Sequence, residues 1–70
     1  MIRQIAPNIR ISYQGDPRIV AYDVCVEKLD SDEWTMVRGF NSMSDDYACI
    51  NANEFAYAMI ERDRLTVKLH

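Results

Sequence analysis

Apolar and polar residues alternate with a period of two from Asn8 to Gln14, where Ile9, Ile11 and Tyr13 interleave with Arg10, Ser12 and Gln14. This is the pattern of a strand with one buried face. Gly15-Asp16-Pro17 ends it, because glycine tolerates positive φ while proline fixes φ and removes a ladder donor. A second strand is expected from about Arg18 to Leu29, with Val20, Tyr22, Val24 and Val26 on the core face. Its other face, bearing Ile19, Ala21, Asp23, Cys25 and Glu27, is expected to meet solvent or a partner. Asp30-Ser31-Asp32-Glu33 reads as a polar hairpin connection of about three to five residues. Trp34 to Phe40 returns as a third strand. Its inward face is ambiguous: if Trp34, Met36 and Phe40 point in, Arg38 must reach the rim or snorkel.

Two readings of Asn41 to Asn51 compete. In one, Ser44 caps a long helix with Asp45 and Asp46 in its first turn, complementing the helix dipole, and the helix runs to about Arg64. In the other, Tyr47 to Ile50 forms a short fourth strand and Asn51 caps a helix, with Glu54 three residues on. Two asparagines within three positions are poor helix interior, which favours the second. Both readings place a helix over Ala52 to about Asp63, its apolar stripe formed by Ala52, Phe55, Ala56, Met59 and Ile60. Period two then returns in Leu65, Val67 and Leu69, a candidate closing strand. The fold class is therefore α+β: a small antiparallel β-sheet of three to five strands with one α-helix packed across one face.

Composition narrows the function. Seventy residues, 49% hydrophobic and 27% charged, make one compact domain over 1–70 with little capacity to enclose a deep substrate cavity. No apolar run reaches the roughly eighteen residues of a membrane span, and the start lacks a signal-peptide stretch. The expectation is a cytoplasmic protein with reduced thiols, in which Cys25 and Cys49 act as small apolar residues. The single histidine, His70, stands at the last position of the sequence, which leaves no usual base for a nucleophile and no zinc ligand set. The two glycines, Gly15 and Gly39, stand apart, so there is no phosphate-binding loop. Asp30-Ser31-Asp32-Glu33 runs into a hydrophobic stretch and not into a calcium loop. No catalytic residue, cofactor or metal is expected.

Charge is unevenly spread. The net charge is −3. Residues 19–60 hold two basic against eight acidic side chains, between two mildly basic ends. Such a middle repels a phosphate backbone and attracts a basic protein surface. Within it, Asp30, Asp32, Glu33 and Trp34, and again Asp45, Asp46 and Tyr47, combine acids with large aromatics, the composition of interface anchors. The sequence thus points to a non-catalytic protein-binding domain, an inhibitor or modulator docking on a basic site of a larger protein, including a nucleic-acid-binding one. Small acidic phage and mobile-element proteins act in this way, some by imitating the charge of DNA. The alternative is a nucleic-acid-associated accessory protein that uses arginines and strand aromatics. A homodimer through an edge strand is a further expectation.

Overall fold

The computed structural model describes residues 1–13, 22–41 and 45–68, the side chains at 45 and 66–68 excepted. The elements are β1 (Ile2–Ala6), β2 (Ile9–Tyr13), β3 (Val24–Asp30), β4 (Glu33–Phe40) and α1 (Asp45–Lys68). Each strand pairs antiparallel with its neighbour in sequence, giving a four-stranded meander of order β1-β2-β3-β4. One face of the sheet packs on α1, so the α+β fold expected from the sequence is the one observed.

The core lies between these layers. Ile9 and Ile11 of β2 and Val24 and Val26 of β3 meet Ala48, Ala52, Ala56 and Met59 of α1, all of them buried. Phe55 and Ile60 complete the expected helical stripe as partly buried flanks. Ala48, Ala52 and Ala56 recur every four residues and form a flat seat that lets the helix backbone approach the sheet closely. At the margin, Phe40 and Phe55 meet edge to face with ring centroids 5.9 Å apart.

The chain departs from the sequence expectations at several points. The first is β1, which precedes the first strand expected. Ile2 lies across from Ser12 while Ile5 packs on the core, so its apolar residues are divided between two faces and show no period of two. The second is the span Arg18 to Leu29. Only Val24 to Asp30 is strand among the described residues, and Val20 and the Gly15-Asp16-Pro17 turn lie outside them. Tyr22 is not a core residue; its ring lies over Gly39, where an added Cβ would come within 2.4 Å of it. That close approach is what requires a glycine at this position.

The third is the inward face of β4. Met36 pairs with Glu27 and Arg38 with Val26, so Val37 is an extra residue that breaks the register. This bulge moves Arg38 and Phe40 to the helix side and leaves Trp34 and Met36 on the other. Arg38 then extends along the rim, its guanidinium carbon 5.4 Å from the Phe40 ring and 5.7 Å from the Phe55 ring.

The fourth is the helix start. Tyr47 to Ile50 is not a strand and Asn51 is not a cap: the helix already begins at Asp45. Ala48 and Cys49 extend the apolar stripe by a turn, and Asn53 Nδ2 donates to the Cys49 carbonyl at 2.7 Å. Burial of the added turn and this internal bond outweigh the poor helix propensity of asparagine. Ser44, the cap of the long-helix reading, lies outside the described residues. The fifth is the closing strand at Leu65 to Leu69, which is absent because α1 continues to Lys68.

The β3–β4 connection is also tighter than expected. Asp30 pairs with Glu33, so only Ser31 and Asp32 form the turn, at φ 51° and 66°. Both residues therefore occupy the left-handed region, the requirement of a type I′ turn, whose preferred sequence is Asn-Gly. The double substitution Ser31→Asn and Asp32→Gly is expected to stabilise the domain by about 1 kcal/mol. A rise in thermal midpoint in a calorimetric scan checks it.

Candidate protein-interaction surface

The strand register defines the face of the sheet away from α1. Arg10 stands opposite Glu27, Ser12 opposite Cys25, Glu27 opposite Met36 and Leu29 opposite Trp34. Since Ile9, Ile11, Val24 and Val26 point to the helix, these residues point the other way. At the centre is the Glu27 carboxylate. Arg10 Nε and Nη2 donate to its two oxygens, each at 3.3 Å, and the Ser12 hydroxyl also donates to it. The Arg10 guanidinium carbon lies 4.3 Å from the centroid of the Trp34 ring. Beside them, the Cys25 thiol contacts the Met36 thioether sulfur at 3.5 Å.

This face, expected to meet solvent or a partner, is closed to solvent at Cys25 and Glu27. Cys25 and Ser12 are fully buried and Glu27 nearly so, because the ion pair, the tryptophan and neighbouring side chains cover one another. Among the described residues no buried side-chain nitrogen or oxygen lacks a hydrogen-bond partner. The arrangement fixes Arg10 and Glu27 in place and neutralises both.

Asp30, Asp32 and Glu33 are exposed at the turn that begins β4, immediately before Trp34, which is half-buried. Acids and tryptophan are therefore adjacent, with Met36 exposed farther along the same face. None of the three acids forms an ion pair with a described residue. Asp46 and Tyr47 are exposed at the start of α1, of which Asp45 is the first residue. They follow the far end of β4, whose eight residues span about 23 Å. The structure accordingly separates the two acidic groups and does not build one surface from them.

Other chemistry is sparse. Among the described residues no group of three or more His, Cys, Asp or Glu side chains is placed to hold a metal ion. Cys25 and Cys49 are free thiols, the first buried and the second half-buried, in keeping with their reading as small apolar residues. No helix among the described residues is long and apolar enough to cross a membrane. No family model matches the chain, and no curated protein or solved structure matches it.

Two groups of residues escaped the sequence reading. Arg10, Ser12 and Glu27 are isolated polar residues within strands, and only the pairing register brings them together. Ile50, Tyr57 and Leu65 are exposed on α1, as is Tyr47, already read as an interface anchor, each about half uncovered or more. Their spacing was the available signal, a second helical stripe opposite the first.

Proposed function

We propose that this domain is a non-catalytic binding module that docks the acid-flanked end of its open sheet face on a basic surface of a larger protein. The observation that supports this reading is the adjacency of Asp30, Asp32 and Glu33, all exposed, to Trp34 and the exposed Met36. An apolar centre beside unpaired acids is complementary to a basic, partly apolar patch. The acids supply long-range attraction and orientation, and Trp34, held in one position by Arg10, supplies a rigid aromatic anchor at little entropic cost. Action as an inhibitor of a nucleic-acid-binding protein in the cytoplasm is the form of this function that the acidic balance favours.

The alternative, direct binding of nucleic acid, needs arginines beside exposed aromatics. Arg10 is committed to Glu27 and Trp34, while Arg38 lies on the helix side over Phe40 and Phe55. Neither supplies a free cation to the acid-flanked face, which weighs for a protein partner.

Asp30→Asn, Asp32→Asn and Glu33→Gln together remove the turn charges, and asparagine tolerates the positive φ at position 32. In quantitative pull-downs from nuclease-treated lysate of the source cells, the wild type is expected to retain a basic protein at 50 mM salt and lose it at 500 mM. The triple variant is expected to retain at least tenfold less while melting normally. Equal retention by both proteins would remove the turn acids from the interface.

A further inference from the structure

The chain has four methionines, of which Met43 lies outside the described residues. Burial and position separate the other three. Met59 is 4% exposed in the core, and Met1 precedes β1 at the opposite edge of the sheet from β4. Met36 is 52% exposed and lies on the open face, two residues along β4 from Trp34. Residues i and i+2 of a strand point the same way about 7 Å apart, so the thioether and the indole are neighbours there. Beneath Met36 is a second sulfur. The Cys25 thiol donates to Met36 Sδ at 3.5 Å, and Cys25 itself is fully buried. A dissolved oxidant that reaches this face therefore meets the thioether before the thiol.

We propose that Met36 is an oxidation site that regulates docking: hydrogen peroxide converts its thioether to the sulfoxide, which weakens the open face for its basic partner, and reduction restores it. This regulation rests on the docking reading given above. In the forward step a lone pair on Sδ attacks one peroxide oxygen and the O–O bond breaks. The departing hydroxide takes the proton left on the transferred oxygen and leaves as water. Sulfur loses two electrons and the peroxide gains them. In the reverse step, catalysed by a methionine sulfoxide reductase, two thiols become a disulfide and the sulfoxide oxygen leaves as water.

The surroundings of Met36 set the direction of the effect. Its register partner is Glu27, whose carboxylate offers no donor and repels a sulfoxide oxygen. Arg10 lies across β3 from Met36 and is engaged by that carboxylate and by the Trp34 ring. The Cys25 thiol is a weak donor. Water is then the sulfoxide's main partner, and a protein that covers Trp34 and Met36 removes it. The exposed Asp30, Asp32 and Glu33 draw the partner's cations to the turn, so Met36 meets the apolar part of the patch, which cannot replace that water. The penalty falls on the complex and not on the fold, because Met36 stays at the surface.

Peptide mapping of peroxide-treated protein reads the site, and anisotropy of a dye-labelled peptide rich in lysine and leucine reads docking. Dithiothreitol is added after the peroxide to return oxidised thiols. Met36 sulfoxide is expected to form on the order of tenfold faster than Met59 sulfoxide. The oxidised protein is expected to bind the peptide about tenfold more weakly at an unchanged thermal midpoint. Methionine sulfoxide reductase restores binding, whereas dithiothreitol alone does not. The Met36→Leu protein, whatever its own affinity, is expected to keep it through peroxide treatment, and Met36→Gln is expected to match the oxidised wild type without treatment. Oxidation of Met36 no faster than Met59, undiminished binding once Met36 is oxidised, or an equal loss in Met36→Leu would each overturn the regulation and leave docking standing. Failure of the untreated protein to bind the peptide would overturn the docking reading, and this regulation with it.

Discussion

Glu27→Ala is expected to destabilise the domain by about 3 kcal/mol, at the lower end of the range for breaking a buried pair. Arg10 and Glu27 expose only 13% and 12% of their side chains, so removing the carboxylate leaves a guanidinium with little water and no counter-charge. Ser12, fully buried, loses its hydrogen bond to that carboxylate in the same step. A small domain has little stability in reserve, and with an m-value of about 1 kcal/mol/M the urea midpoint falls by about 3 M. Replacing the whole set by Arg10→Met, Ser12→Ala and Glu27→Leu is expected to restore wild-type stability or exceed it, because the two buried charges and the hydroxyl bonded to them are removed together. A triple variant as unstable as Glu27→Ala would show that the network contributes net stability of its own.

Ala52→Leu is the second large effect, a loss of about 2 kcal/mol. Ala48, Ala52 and Ala56 are each fully buried on the face that seats α1. Three additional carbons at the middle position must lift the helix or force Ile9, Ile11, Val24 or Val26 out of their rotamers. The same substitution at Ala58, an exposed position, is expected to change stability by less than about 0.5 kcal/mol. Urea titrations of the two variants side by side check the contrast. Equal effects at the two positions would show that the seat is not tightly packed.

Much of the architecture was legible from periodicity. Ile9, Ile11, Val24 and Val26 alternate on their strands, and Ala52, Phe55, Ala56, Met59 and Ile60 follow the helical stripe, and these positions do form the interior. What was not legible has local causes. The bulge at Val37 changes which residues of β4 face inward without changing a residue type, so alternation along Trp34, Met36, Arg38 and Phe40 misleads. The helix start depended on whether packing by Ala48 and Cys49 outweighs the asparagines, which is a tertiary effect invisible to local propensity. Leu65 and Val67 mimic a strand because two apolar residues two positions apart satisfy a period of two locally, although α1 continues to Lys68 and Leu65 is exposed upon it.

The candidate surface was partly legible. Asp30, Asp32, Glu33 and Trp34 follow one another in sequence, so their adjacency needed only a hairpin, and the structure provides it. Asp45, Asp46 and Tyr47 share the composition of that group but not its location, since β4 lies between them. The cluster of Arg10, Ser12 and Glu27 required long-range register, and no single segment announces it.

The central claim, a binding face at the acid-flanked end of the open sheet, has a reporter built in, because Trp34 is the only tryptophan. Its emission should be followed during titration with a lysine-rich peptide and, separately, with a single-stranded oligonucleotide. The account predicts a spectral change with the basic peptide at 50 mM salt that disappears at 500 mM and in the Asp30→Asn, Asp32→Asn, Glu33→Gln variant, with no response to the oligonucleotide. A salt-sensitive response to the oligonucleotide together with indifference to the basic peptide would contradict it.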